Sequence, residues 1–160
     1  AKGFADPGRI AIVGGSYGGF AALFALGHNP ELYRCGVSVA GVTDWTEIVK
    51  ELKGEEYKFA YQFFREWIGD PKIEPDFLAR ISPVNFAAKI TAPVFIVQGK
   101  DDRTVPPKQA RKMVDALEKA GRPPQSLYFS GEGHGFNKEK NRAKLFAEIE
   151  KFLAKNLAPK

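Results

Sequence analysis

Residues 10–20 read IAIVGGSYGGF: an apolar run that ends in two glycine pairs set around one serine and one tyrosine. Glycine inside regular structure costs about 0.5–1 kcal/mol relative to alanine. Crowding it around a hydroxyl therefore points to a backbone path that side chains would block. Gly14-Gly15-Ser16-Tyr17-Gly18 fits G-x-S-x-G, the sharp strand-to-helix turn that holds a serine above the end of a sheet. Phe20, Leu23 and Phe24 follow at helical spacing, so a helix beginning at Tyr17 would aim free backbone N–H groups at an anion forming beside Ser16. On the motif alone, a glycine-rich phosphate loop or a simple tight turn stays open as an alternative.

The rest of the chain repeats the strand-then-helix pattern. Apolar runs at residues 9–13, 35–40, 93–98 and 127–129 are the strand candidates. PVFIVQ, at 93–98, is almost wholly apolar, as a strand covered on both faces should be. Between the runs, the sequence predicts a short helix over 44–52 capped by Asp44, and an aromatic-rich helix over 57–67 broken by Asp70, Pro71 and Pro75. A helix with Ala110, Met113, Val114 and Leu117 on one face is ended by Gly121. A final helix carries Leu145, Phe146, Ile149, Phe152 and Leu153 as its apolar stripe. Phe63, Phe64 and Trp67 are expected in the core. Alternating strands and helices predict a mostly parallel α/β sheet of about four strands, with functional groups at the carboxyl ends of the strands.

At 160 residues and 44% apolar content, the chain is sized for a single domain with one core, residues 1–160. No run is long enough to span a membrane, and the start AKGFADPGRI lacks the charged-then-apolar pattern of a secretion signal. The expectation is a soluble protein of the cytoplasm, although the single Cys35 excludes only an internal disulfide and leaves the redox compartment open. The net charge of +5 is not gathered into a patch. From Lys138 onward, lysines and arginines alternate with Glu139, Glu148 and Glu150, the pattern of a solvated helix face, so neither nucleic acid nor a membrane is expected as a partner.

A serine hydroxyl is a poor nucleophile until a base takes its proton, and that base needs its tautomer held. Two histidines are available. His28, in GHNP at the end of the first helix, reads as a surface residue favoured by the helix dipole. His134, in GEGHGF just past the fourth strand, lies between glycines in a loop with no core to fill, which suits a base. The third strand runs into GKDDRTVP, where Asp101 or Asp102 could orient His134. The order Ser, Asp, His along the chain is that of α/β-hydrolases.

With these residues in place, the sequence resembles the catalytic domain of the prolyl oligopeptidase family of serine peptidases, especially its acylaminoacyl peptidase and dipeptidyl peptidase branches. DPGRIAIVGGSYGG, AGVTDW, ISPVNFAAKITAPVFIVQGKDDRTVP and GEGHGF carry the resemblance over nearly the whole chain. It implies Ser16 as nucleophile and His134 as base. The family pattern G-x-x-D-x-x-V falls on Gly99, Asp102 and Val105, making Asp102 the triad acid and Asp101 its solvated neighbour. Tyr17 would supply an oxyanion N–H and stand at the rim of a pocket formed by Val42, Trp45, Ile48 and Val105. From the residues alone, Trp45 lies in a loop and short helix at a strand end, where a core tryptophan is less expected. Ile48 and Leu52 fit core or pocket equally. Arg103 fits either a substrate carbonyl or carboxylate, or a surface ion pair.

The resemblance also implies the carboxyl-side half of an α/β-hydrolase fold, without the strands that precede the nucleophile turn and without a β-propeller. Strand 9–13 would then have an open edge, which invites self-association with a second chain. The implied activity is hydrolysis of short peptides through an acyl-enzyme, with no metal or organic cofactor. A carboxylesterase on the same fold, and an inactive fragment or interaction module, are the alternatives.

Overall fold

β-Branched and aromatic runs bounded by turn residues become the strands β1 (Ala11–Gly15), β2 (Cys35–Val39), β3 (Val94–Gly99) and β4 (Gln125–Phe129) of a computed structural model that describes residues 3, 5–52 and 58–159. They form one parallel sheet in the order β1-β2-β3-β4, with Val13 opposite Val37, Val37 opposite Phe95 and Val97 opposite Leu127. The expected parallel α/β architecture is therefore present. Burial follows position. Every residue of β3 is buried and β2 is nearly so, whereas the outer strands β1 and β4 are only partly covered.

Helices cover both faces, because a parallel strand must be followed by a crossover that packs back on the sheet. On one face, Leu23 and Leu26 of α1 (Tyr17–His28) meet Ile96 of β3 together with Met113 and Leu117 on a later helix. On the other face, Val37, Phe95 and Val97 pack against Leu145 and Phe152 of the final helix. A third apolar group lies beyond the carboxyl ends of the strands. It joins Phe20 to Trp45, Ile48 and Val49 of α2 (Trp45–Glu51), with Val42, Val105 and Leu78. Asp44 caps α2 as expected, its side chain accepting from the Glu47 N–H at 2.9 Å.

The aromatic helix is α3 (Lys58–Trp67); its expected start at Tyr57 lies outside the described residues. The core expectation for its aromatics holds only in part. Phe64 packs toward Trp45, with ring centroids 5.8 Å apart, but Phe63 is 56% and Trp67 71% exposed. Phe63 and Trp67, one turn apart with ring centroids at 6.1 Å, share an exposed flank of α3, while Phe64 takes the contact with Trp45.

Residues 70–92 are more ordered than the three breakers suggest. Pro75 opens α4 (Pro75–Ile81) and Pro83 opens a 3₁₀ segment (Pro83–Lys89). A proline at the first helical position gives up an N–H that would have had no partner there, so it starts a helix as readily as it ends one. The remaining helices are α5 (Pro107–Lys119) and α6 (Glu139–Leu157). Gly121 does end α5: at φ 71° it gives its N–H to Glu118 while Arg122 reaches back to Leu117. The stripe on α6 is narrower than expected, since Phe146 is exposed beside Ile149 and Leu153. Among the described residues, no helix is long and apolar enough to cross a membrane.

Candidate active site

β1 delivers Ser16 into the turn at φ 56°, ψ −121°, a left-handed region that an L side chain enters at a cost. The turn is tight because strand and helix nearly touch. A Cβ on Gly14 would collide with the backbone of Gly18. This close approach accounts for glycine at position 14; a Cβ on Gly18 itself would meet nothing. The Ser16 N–H is tied to the Val39 carbonyl at 2.9 Å, and its own carbonyl accepts from Gly19 and Phe20 as α1 begins. The Tyr17 N–H lies in the first turn of α1, where backbone donors have no intrahelical acceptor.

Two further strand ends meet this turn. Asp102 follows β3 in a tight loop and is buried. Its Oδ1 accepts the N–H groups of Thr104 and Val105, both at 2.9 Å, and its Oδ2 faces His134 Nδ1 at 2.8 Å. His134 follows β4, with Nε2 2.8 Å from Ser16 Oγ. An ionised carboxylate only accepts, so Nδ1 carries the ring proton and the neutral imidazole leaves Nε2 to accept from the serine hydroxyl. Burial alone would raise the Asp102 carboxyl. The His134 hydrogen bond, the Val105 N–H, the charge His134 takes when protonated and the Thr104 N–H outweigh it and hold the group below the usual carboxylate range.

The structure therefore brings Ser16, Asp102 and His134 into one hydrogen-bonded chain. Asp101 is the exposed neighbour, as expected. His28 is exposed, its Nδ1 3.0 Å from the Phe24 carbonyl and its ring stacked on Phe24 at 3.9 Å, far from this chemistry in role and contacts.

The apolar positions behave differently from the sequence reading in one respect. Trp45 is only 1% exposed, a core residue after all. Its ring is enclosed by Phe20 at 5.1 Å, Phe64 at 5.8 Å and Tyr17 at 6.2 Å, because α2 folds back over the end of α1 instead of standing in solvent. Its indole N–H has no hydrogen-bond partner among the described residues. Val42, Ile48 and Val105 are buried in the same cluster. Tyr17, 57% exposed, stands over that cluster beside Ser16. Arg103 is exposed next to Asp102 and has no carboxylate partner among the described residues.

Sequence reasoning missed Gln98, the last side chain of the buried strand β3. Its Nε2 donates to Asp102 Oδ2 at 3.0 Å and to the Val105 carbonyl at 3.1 Å, supporting the acid from below. A glutamine closing a wholly apolar strand is the signal that pointed there, since a buried amide needs partners.

The Prolyl oligopeptidase family matches residues 1–160. Dipeptidyl peptidase family member 6 of Caenorhabditis elegans is 33% identical over 154 residues, covering 95% of this chain and 21% of that protein. Dipeptidyl aminopeptidase BIII of Pseudoxanthomonas mexicana is 31% identical over 158 residues, covering 98% and 23%. Among solved structures, a Mycobacterium tuberculosis puromycin-hydrolyzing peptidase superposes with a TM-score of 0.90 at 29% identity, over 99% of this chain and 23% of that one. An acylaminoacyl peptidase in complex with Z-Gly-Gly-Phe-chloromethyl ketone gives 0.84 at 26% identity, over 96% and 24%. The chain thus spans about a fifth of the length of the curated relatives it matches.

Proposed function

The chain belongs to the prolyl oligopeptidase family, and from that premise we propose that it carries the serine-type hydrolytic site of a peptidase acting on short peptides. The observation that supports this most directly is the continuous path from Asp102 Oδ2 through His134 to Ser16 Oγ, each step 2.8 Å. Ser16 Oγ attacks the scissile carbonyl carbon as His134 Nε2 takes the hydroxyl proton. Asp102 keeps the imidazole in the required tautomer and stabilises it when charged. The negative charge arising on the carbonyl oxygen meets the Tyr17 N–H at the start of α1. The carbon–nitrogen bond then breaks, His134 returns the proton to the leaving amine, and water hydrolyses the acyl group from Ser16.

The residue preceding the cleaved bond is apolar in this reading. Tyr17 forms the rim of the site, standing over the buried apolar cluster of Val42, Trp45, Ile48 and Val105 that backs it, and Arg103 takes a substrate carbonyl or carboxylate. Relatives named for dipeptidyl and acylaminoacyl peptidase activity support peptide over simple ester substrates. A fluorophosphonate probe tests the assembled site: labelling at Ser16 that disappears in Ser16→Ala supports it, and a folded chain that stays unlabelled refutes it. Parallel assays with aminoacyl p-nitroanilides and short-chain p-nitrophenyl esters then separate peptidase from esterase.

We also propose a second copy of the chain as a partner. The outer edge of β1 has no neighbour among the described strands, Val13 is 48% exposed, and an apolar groove with Phe146, Ile149 and Leu153 adjoins Arg9. Light scattering should find a dimer that Val13→Lys dissolves. A compact, stable monomer refutes the pairing.

A further inference from the structure

The loop joining β4 to α6 holds His134, yet glycines at 131, 133 and 135 give it little stiffness of its own. Something else must set where the imidazole stands. Phe136 anchors the far side: it is buried, accepts a strained φ of 49°, and packs edge-on to Phe129 at 5.4 Å. On the near side is Glu132, a carboxylate only 2% exposed. A buried charge is costly unless its oxygens are satisfied. Here Oε2 accepts the Asn137 N–H at 2.8 Å, and Oε1 accepts the Lys138 N–H at 3.1 Å and Asn141 Nδ2 at 2.6 Å. Lys138 and Asn141 belong to the start of α6, whose cap residue makes no side-chain cap bond, so the Glu132 carboxylate serves the helix end instead. Desolvation opposes the charge, but Asn141, the Lys138 and Asn137 N–H groups and the Lys138 ammonium together keep the carboxyl below its ordinary range.

The same residue reaches the loop that carries the acid. The Glu132 carbonyl accepts the Asp101 N–H at 2.9 Å, and a Cβ on Gly99 would collide with the Glu132 and Gly133 backbone, so the two loops lie in direct contact. One residue thus joins the loop of Asp102, the loop of His134 and the first turn of α6.

We propose that Glu132 is a positioning residue that sets the imidazole of His134 between Asp102 and Ser16. This rests on the hydrolase reading for its functional consequence, but not for its geometry. Glu132→Gln keeps the volume while turning an amide NH₂ toward groups that are themselves donors. The loop must then shift, and a displacement near 1 Å lowers a reaction rate by about 10²-fold.

The test uses the full chain and two readouts. The first is the rate of fluorophosphonate labelling at Ser16. The second is the low-field proton NMR signal of a hydrogen-bonded imidazole Nδ1–H, assigned by its loss in His134→Ala. In Glu132→Gln, with circular dichroism unchanged, labelling should slow by about 10²-fold and the Nδ1–H signal should vanish or broaden. Asn141→Ala, which removes one donor and leaves the carboxylate with its two backbone partners, should shift or broaden the signal without abolishing it and slow labelling by about two- to tenfold. It also serves if Glu132→Gln fails to fold: a signal wholly unchanged in Asn141→Ala then counts against the clamp. A folded Glu132→Gln that keeps the signal and labels within about twofold of wild type overturns the proposal. Wild type that shows the signal but does not label refutes the hydrolase reading alone. Folded wild type without the signal overturns the positioning.

Discussion

Replacing Ser16 separates the backbone strain of the turn from its chemistry. At φ 56°, ψ −121°, an L residue stores about 1–3 kcal/mol that glycine does not. Glycine costs about 0.5–1 kcal/mol more than alanine in chain entropy, which leaves Ser16→Gly ahead of Ser16→Ala by about 1 kcal/mol. Both variants lose the hydrogen bond to His134 Nε2, worth about 1 kcal/mol net. Ser16→Gly should therefore sit near wild type in stability and Ser16→Ala about 1 kcal/mol below it. Urea unfolding followed by circular dichroism reads this as a higher midpoint for Ser16→Gly at unchanged slope, or as about 2–4 °C in thermal midpoint. Neither variant should take up the fluorophosphonate. If Ser16→Ala equals or exceeds Ser16→Gly in stability, the turn is not strained and the account of its glycines is wrong.

Gly14→Ala drives a Cβ into the Gly18 backbone and should cost more than about 3 kcal/mol, whereas Gly18→Ala meets open space within a helix and should gain about 0.5–1 kcal/mol by urea titration. Because the folded-state carboxyl of Asp102 lies below its unfolded value, its contribution is fully present above that unfolded value, about pH 3.9, and is lost as pH falls through the folded one. The stability gap between wild type and Asp102→Asn should accordingly narrow below about pH 4; a gap that widens there contradicts the sign. At neutral pH, Asp102→Asn should slow labelling of Ser16 by up to about 10⁴-fold, since an amide no longer holds the Nδ1–H tautomer. Trp45→Ala should lose about 3–5 kcal/mol of folding stability, and a variant with wild-type stability would return Trp45 from the core to an open pocket wall.

Much of the fold was readable without coordinates because hydrophobic periodicity is local. A fully covered parallel strand should be almost wholly apolar, and PVFIVQ is up to its closing Gln98; an amphipathic helix must repeat at 3.6, and residues 110–117 do. The three polar residues of the site were equally legible, since each lies in a glycine-bearing segment at a strand end where no core demands it. The neighbouring loops were less so. Pro75 reads as a breaker yet opens a helix, because its meaning depends on which side of it the chain turns.

Residue type and spacing by themselves placed Ser16, His134 and the Asp101-Asp102 pair at three strand ends of a mostly parallel sheet, because strands alternating with helices are joined by parallel crossovers; the family resemblance chose Asp102. Only the tertiary structure decided what surrounds them. Trp45 moved from pocket wall to core because Phe20, Phe64 and Tyr17 enclose its ring, Phe63 and Trp67 pair on an exposed flank of α3, and Gln98 and Glu132 became supports of the site. Burial and hydrogen bonding at such positions depend on where other segments fold, as when the Trp45 backbone N–H meets Ser82 37 residues away, and local pattern along the chain does not contain that information.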